Sequence, residues 1–412
     1  AWAQAVEAEA ADEEAAGERE ALRRALVEGA AVGSARWLAG ELLEYHRREA
    51  RPAWWWFFER RDQMTVDDLV NDNEAIGGLR PVGRPVPDKK SFLHTLSFPP
   101  QQHKLGPGDQ PVDPVTKKPA GSITAIDDVA GTLELRRGPS FADTPLPRAL
   151  IPGGPLRTPE QRSALVRLAT SMRAEDGRYL ALHGVLARTP PRLRGRLPGA
   201  VVQTIELAEQ RALVTALDAS YLFIQGPPGT GKTWTGARLI TELMRQGRRV
   251  GVAANSHKAI HNLLAEVEKA AGEEGLRFRG LKKASKSNDE SFYPAGGPVT
   301  NATEVEAFAR ARPSTLLFGG TSWLFAHQDL DGAATPAVDT LFIDEAGQVS
   351  LADALAMGTA ARNVVLLGDP LQLAQVSQGT HPPGTELSVL EHLLGEHATI
   401  PSEMGVFLAR TR

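Results

Sequence analysis

The chain has 412 residues, 42% hydrophobic and 23% charged, with a formal net charge of −4. That length accommodates two or three domains with cores of their own, and the mild negative charge supplies no overall basic field for nucleic acid, leaving local patches as the electrostatic route to it. Cysteine is absent, which excludes a disulfide partner, cysteine-ligated zinc and iron–sulfur clusters and fits a reducing, cytoplasmic setting.

No run of eighteen or more apolar residues occurs, so no membrane span is expected. The chain opens at Ala1 on "AWAQAVEAEAADEEAAGERE", without a signal-peptide layout, and reads as a fragment that begins in a helix of a longer protein. Residues 1–90 are expected to form a helical region or stalk, because "RRALVEGA", "WLAGELLEYHRREA" and "TVDDLVNDNEAIGGL" repeat apolar residues at helical spacing. Pro52 is expected at a helix start or a turn. The run Trp54, Trp55, Trp56, Phe57, Phe58 is expected to pack against a neighbouring element rather than stack on bases.

Over residues 91–155 the composition turns Pro/Gly-rich, and "SITAIDDVAGTLELRRG" holds two β-prone runs around a turn at Asp127 to Gly131. A small β-barrel accessory domain with long loops is expected there. "PDKK", residues 87–90, lies between prolines and is expected in a loop, without nuclease chemistry. Residues 156–200 return to helix, opening on the Thr-Pro-Glu start signal of "TPEQRSALVRLATSM". From 201 to 412 the apolar runs "YLFIQ", "RVGVAAN", "STLLFGG", "TLFIDE" and "NVVLLGD" alternate with helical patterns, which predicts an α/β domain with a parallel sheet.

The first of those runs leads into "GPPGTGKT", which fits G-x-x-x-x-G-K-[ST] over Gly226, Pro227, Pro228, Gly229, Thr230, Gly231, Lys232 and Thr233. Glycines let backbone N–H groups converge on phosphate oxygens, and the following helix adds its positive N-terminal pole. Lys232 is expected on the β- and γ-phosphates of ATP and Thr233 on Mg²⁺. "TLFIDEAGQ" ends a strand on Asp344-Glu345, where a carboxylate faces the ligand crevice of an open α/β sheet. Asp344 suits the Mg²⁺ side and Glu345 the general base for the attacking water. "NVVLLGDPLQL" ends another strand at Gly368-Asp369, with Gln372 as a candidate contact to the γ-phosphate or the water.

In order and spacing, "QGPPGTGKT", "DEAGQ" and "GDPLQL" resemble motifs I, II and III of superfamily 1 helicases. The resemblance is to the 5′-to-3′ branch, which holds the nonsense-decay helicase and the nuclease–helicase fusions. It implies a RecA-like P-loop NTPase domain over 201–412, preceded by a helical stalk and a β-barrel insert. It also implies Gln210 in "ELAEQRALVTAL" as the adenine reader. "VGVAANSHKAIHNLL" resembles motif Ia, with Asn255-Ser256-His257 where the family has Pro-Ser-Asn, and makes Ser256 and His257 candidate nucleic-acid contacts. "LLFGGTSWLF" resembles motif Ic and adds Thr321 and Ser322 as backbone contacts.

The implied function is an ATP-dependent motor on single-stranded nucleic acid, DNA rather than RNA. Beside it stand an RNA helicase and a nucleotide-gated binding module with weak hydrolysis. The resemblance admits a nuclease domain upstream of Ala1. It also implies a second RecA-like domain after the end "GVFLARTR", so that this chain by itself turns ATP over poorly. The histidines lack metal-ligand spacing. Lys282, Lys283 and Lys286 suit a nucleic-acid backbone and a solvated loop equally.

Overall fold

The computed structural model describes residues 16–286, 288–331, 335–372 and 376–409. The expected helix over the first fifteen residues and the final "RTR" lie outside them. Two compact units are present: Glu49–Arg157, and the remainder, which joins residues up to Arg48 with those from Thr158 onward.

The smaller unit carries a four-stranded antiparallel sheet of order β1-β2-β6-β5: Arg80–Asp88, Ser91–Ser97, Thr132–Arg137 and Ser122–Asp127. A two-stranded ladder, β3 (Val112–Asp113) with β4 (Lys118–Pro119), accompanies it. The sheet stands where a barrel was expected, but its edge strands β1 and β5 do not pair with each other, so it is open rather than closed. Leu96, Ile123, Leu133 and Leu135 fill its core, and the predicted turn joins Asp127 to Thr132 in register. β1 begins inside the stretch expected to be helical, because Pro81, Pro85 and Pro87 remove helix donors. They also suit an exposed edge strand, and β1 is exposed along nearly its whole length. Asp88-Lys89-Lys90 is no open loop but the tight turn of the β1–β2 hairpin, with Lys89 at φ 56° and Asp88 paired to Arg136 at 2.7 Å.

Pro52 also departs from expectation: it lies inside the helix Tyr45–Asp62. The strong helix formers around it outweigh the one backbone donor it withholds. On the same helix, Trp55, Trp56 and Phe58 are exposed, and Trp54 stacks on Phe58 with centroids 5.4 Å apart. Five consecutive helical residues cover more than a full turn, so they cannot all share a buried face. The helix predicted over 65–79 is only Val66–Val70, fixed by a capping box of Thr65 and Asp68.

The larger unit is built on an eight-stranded parallel sheet of order β10-β9-β11-β8-β12-β13-β7-β14. The strands are β7 (Tyr221–Gln225), β8 (Val250–Ala253), β9 (Arg279–Lys283), β10 (Val299–Ala302), β11 (Thr315–Gly320), β12 (Val338–Ile343), β13 (Ala361–Gly368) and β14 (Gly405–Phe407). All five strands read from the sequence are present. β9, β10 and β14 were not foreseen; "RGLKKA", which holds β9, reads as a charged loop.

Central strands are buried on both faces, as a helix-covered parallel sheet requires. Tyr221 and Phe223 join one core while Leu222 and Ile224 join the other, and β13 alternates likewise through Val364, Val365, Leu366 and Leu367. Helices Leu207–Ala216, Lys232–Arg245 and His257–Glu273 cover the second face. Helices Pro159–Ala174, Leu180–Leu186 and Leu351–Gly358 cover the first, together with Leu22, Leu26, Leu38 and Leu42. The N-terminal helical residues are therefore part of this unit's core, drawn there by their apolar stripe. Pro159 occupies the first turn as its start signal implies, although the Thr158 side chain caps nothing.

Candidate nucleotide site and nucleic-acid edge

Three neighbouring strands, β12, β13 and β7, end on the same edge of the sheet, β12 two residues short of the other two. Gly368 pairs with Gln225 and Ile343 with Leu366, so Asp344, Asp369 and Gly226 each sit one residue past a strand end. The Gly226 N–H donates to the Gly368 carbonyl at 3.1 Å, tying the phosphate loop to the β13 end. Helix Lys232–Arg245 starts at the loop, with Gly229 and Gly231 both at φ 78°, the left-handed region that β-carbons disfavour. Thr230 Oγ1 donates to the Pro227 carbonyl at 2.8 Å, and Lys232 Nζ donates to the Gly226 and Pro227 carbonyls at 2.5 and 3.2 Å. Burial lowers the Lys232 pKa, while the nearby carboxylates of Asp369, Asp344 and Glu345 act to raise it. The structure thus gathers one cation and three acids beside the loop.

Asp344 is 6% exposed, and burial is the main cause that pushes its carboxyl up to about 6. Its Oδ1 accepts the Glu345 N–H at 3.0 Å. A buried carboxylate and a threonine hydroxyl in the first turn of the helix after the loop are hard-oxygen donors, and a divalent cation would offset the desolvation that raises the Asp344 pKa. The pair Thr233 and Asp344 therefore fits Mg²⁺.

Glu345 is exposed and stands at φ 53°, where non-glycine residues are uncommon. Gly347 follows in close contact with the β13 end: a Cβ there would lie 2.8 Å from the Asp369 carbonyl oxygen. Gln372 is exposed and tethered to Asp369, its Nε2 donating to Oδ2 at 3.3 Å. Gln210 is 3% exposed on helix Leu207–Ala216, and its amide donates to the Thr204 carbonyl at 3.1 Å. The amide is thereby oriented by the loop ahead of its helix.

On the other side of β12, strands β8, β11 and β9 continue the same edge. Ala253 pairs with Ile343 and with Gly320, and the Asp344 N–H donates to the Ala253 carbonyl at 2.8 Å. Asn255, Ser256 and His257 thus lie beside Thr321 and Ser322. Asn255 Nδ2 donates to the Gln348 carbonyl at 2.5 Å, joining this segment to the turn after Glu345. Ser256 is exposed and caps its helix, accepting from the Ala259 N–H at 3.1 Å. Ser322 Oγ accepts from Gln161 at 2.9 Å, whereas Thr321 makes no capping bond. Of the three lysines weighed as a patch, Lys286 is exposed and Lys282 is fully buried. Sequence reasoning missed Gln161, and it missed the partners of Lys282 and Asn255, because each acts through a residue distant in the chain.

A glycine-rich loop between a parallel strand and a helix, with acids at the next strand ends, defines the chain as a RecA-like P-loop NTPase. Residues 207–382 match the family described as AAA domain. The chain is 28% identical over 197 residues to the DNA replication ATP-dependent helicase/nuclease JHS1 of Arabidopsis thaliana, covering 46% of this chain and 14% of that protein. It is 23% identical over 257 residues to the DNA replication ATP-dependent helicase/nuclease DNA2 of Saccharomyces cerevisiae, covering 60% of this chain and 16% of that protein. Among solved structures, an arterivirus nonstructural protein 10 (helicase) complex with DNA aligns at a TM-score of 0.32 and 13% identity, over 79% of this chain and 52% of that one. Over these residues the chain is similar to an AAA domain and to DNA2-like helicase/nucleases. It spans about one sixth or less of the length of these relatives.

Proposed function

We propose that this chain is the ATP-binding motor domain of a helicase or translocase that hydrolyses ATP to move 5′ to 3′ along single-stranded DNA, in a parent protein that also carries a nuclease. The observation that carries the reading is the convergence of the β12, β13 and β7 ends on Lys232. The relatives' names supply DNA as the nucleic acid and a nuclease in the same chain. Lys232 leaves its loop carbonyls for the β- and γ-phosphates, and Gln210 reads the adenine. Glu345 takes a proton from water as the water oxygen bonds to the γ-phosphorus and the bond to ADP breaks. Gln372 orients that water or contacts the γ-phosphate, and Asp369 holds the Gln372 amide. Thr233 and Asp344 are the residues to hold Mg²⁺, which when bound neutralises phosphate charge. Ser256, His257, Thr321 and Ser322 line the strand path along the adjoining half of the edge.

Unwinding by the full-length protein of duplexes with a 5′ or a 3′ single-stranded tail tests this reading. Preference for the 5′ tail, with DNA above RNA, is the expected outcome. Preference for the 3′ tail contradicts the direction, and no unwinding of either contradicts the helicase assignment.

A further inference from the structure

Lys282 on β9 has 0% of its surface exposed, a burial that a lysine tolerates only with partners. Its Nζ donates to the Ser291 carbonyl and lies 3.0 Å from His257 Nδ1. An ammonium group offers donors and no acceptor. Burial, with the Lys283 charge beside it, pushes Lys282 down to about 8, so it is mainly an ammonium at neutral pH and Nδ1 accepts, which leaves the imidazole neutral with its proton on Nε2.

The fold makes room for this reach. β11 separates β9 from β8, and the Lys282 stem passes Gly319 of β11, where a Cβ would stand 3.4 Å from Lys282 Cγ and 3.0 Å from Leu264 Cδ1. The His257 ring also stacks on His261 with centroids 6.3 Å apart, and His261 meets Tyr293 edge-on at 5.3 Å. Tautomer and ring plane are both held. His257 itself is half-buried, directly after the exposed Ser256.

We propose that Lys282 is a positioning residue that presents His257 to a single-stranded nucleic acid as a neutral Nε2–H donor. The proposal rests on the nucleic-acid reading of this edge. It makes the His257 contact a hydrogen bond to a phosphate or base oxygen rather than an ion pair, so the contact adds nothing to counterion release. Burial, with Lys282 and Lys283 from β9 and His261 from its own helix, pushes His257 down to about 4, consistent with a ring that stays neutral near pH 7.

The test uses the full chain. Long-range ¹⁵N–¹H correlation spectra of the free protein are expected to show His257 as the Nε2–H tautomer, without titration above about pH 5. In Lys282→Met the ring is expected to lose that fixed tautomer and titrate nearer its ordinary value. Affinity for oligo-dT at pH 7.5 should then fall about three- to tenfold, the worth of one oriented neutral hydrogen bond, and the salt slope should stay unchanged. At pH 5.5 the same variant should show a salt slope steeper by about one, as an imidazolium meets phosphate. His257→Ala, which removes the donor and cannot titrate, guards against a folding artefact: with a wild-type thermal midpoint it should lose affinity as Lys282→Met does and show no such pH response. A wild-type Nδ1–H tautomer, or a Lys282→Met variant with unchanged tautomer and affinity, overturns the proposal alone. A wild-type chain with the expected tautomer that binds no single strand overturns the nucleic-acid reading and the proposal with it.

Discussion

Glu345 holds a backbone conformation at φ 53° that costs about 1–3 kcal/mol in a non-glycine residue. The Asp344 carboxylate, accepting the Glu345 N–H at 3.0 Å, helps to hold it. Such strain brings an exposed acid to a strand end within electrostatic reach of Lys232. Replacing Glu345 with Gln keeps shape and polarity and removes the proposed base. ATP binding by fluorescence titration should be retained, while turnover falls at least a hundredfold. Gly347→Ala probes the contact behind it: the new Cβ would press on the Asp369 carbonyl from 2.8 Å, a backbone atom that cannot rotate away. Thermal unfolding should report a loss of about 1–3 kcal/mol, with ATPase reduced through displacement of Asp369 and Gln372. The meeting of Lys232 with Asp344 and Glu345 was legible because strand-end chemistry follows a local pattern. Lys282 was not, since its burial depends on Gly319, 37 residues away in sequence.

At the scale of elements, strand order turns separate motifs into one edge. β12 lies between β8 and β13, so a candidate nucleic-acid segment borders the carboxylate strand on one side, and the phosphate loop after β7 lies one strand beyond it on the other. The bond from Asn255 to the Gln348 carbonyl crosses between the halves. Asn255→Ala should therefore leave basal ATPase nearly intact and reduce its stimulation by single-stranded DNA severalfold, read as the ratio of stimulated to basal rate. Helix Val389–Leu394 supplies a separate test of packing. His392 is 2% exposed, its Nε2 lies 3.0 Å from the Val185 carbonyl, and burial holds its pKa down at about 4. A pKa depressed in the folded state means the unfolded chain binds more protons between about pH 6.5 and 4. His392 accordingly contributes stability that is full above pH 6.5 and is lost as pH falls towards 4. Urea unfolding across that window should lose on the order of 3 kcal/mol to this group, and His392→Gln should flatten the slope.

For the molecule as a whole, the five alternating β runs were enough to read a parallel α/β sheet, and each proved to be a strand. Their order in the sheet was not readable, because register between distant strands is set by packing on both faces rather than by local composition. The same limit hid the packing of residues 22–43 into the core of the larger unit, since an amphipathic helix does not name its partner. The β1–β2 hairpin was missed because its prolines read as loop. The central claim is that nucleotide turnover at the β12–β13–β7 edge is coupled to a single strand on the neighbouring half. Steady-state ATPase of the full-length protein, titrated with matched DNA and RNA oligonucleotides, tests it most directly. The expected result is a rate raised at least tenfold by single-stranded DNA and less by RNA, with both responses abolished in Glu345→Gln. A rate indifferent to both nucleic acids would contradict the account.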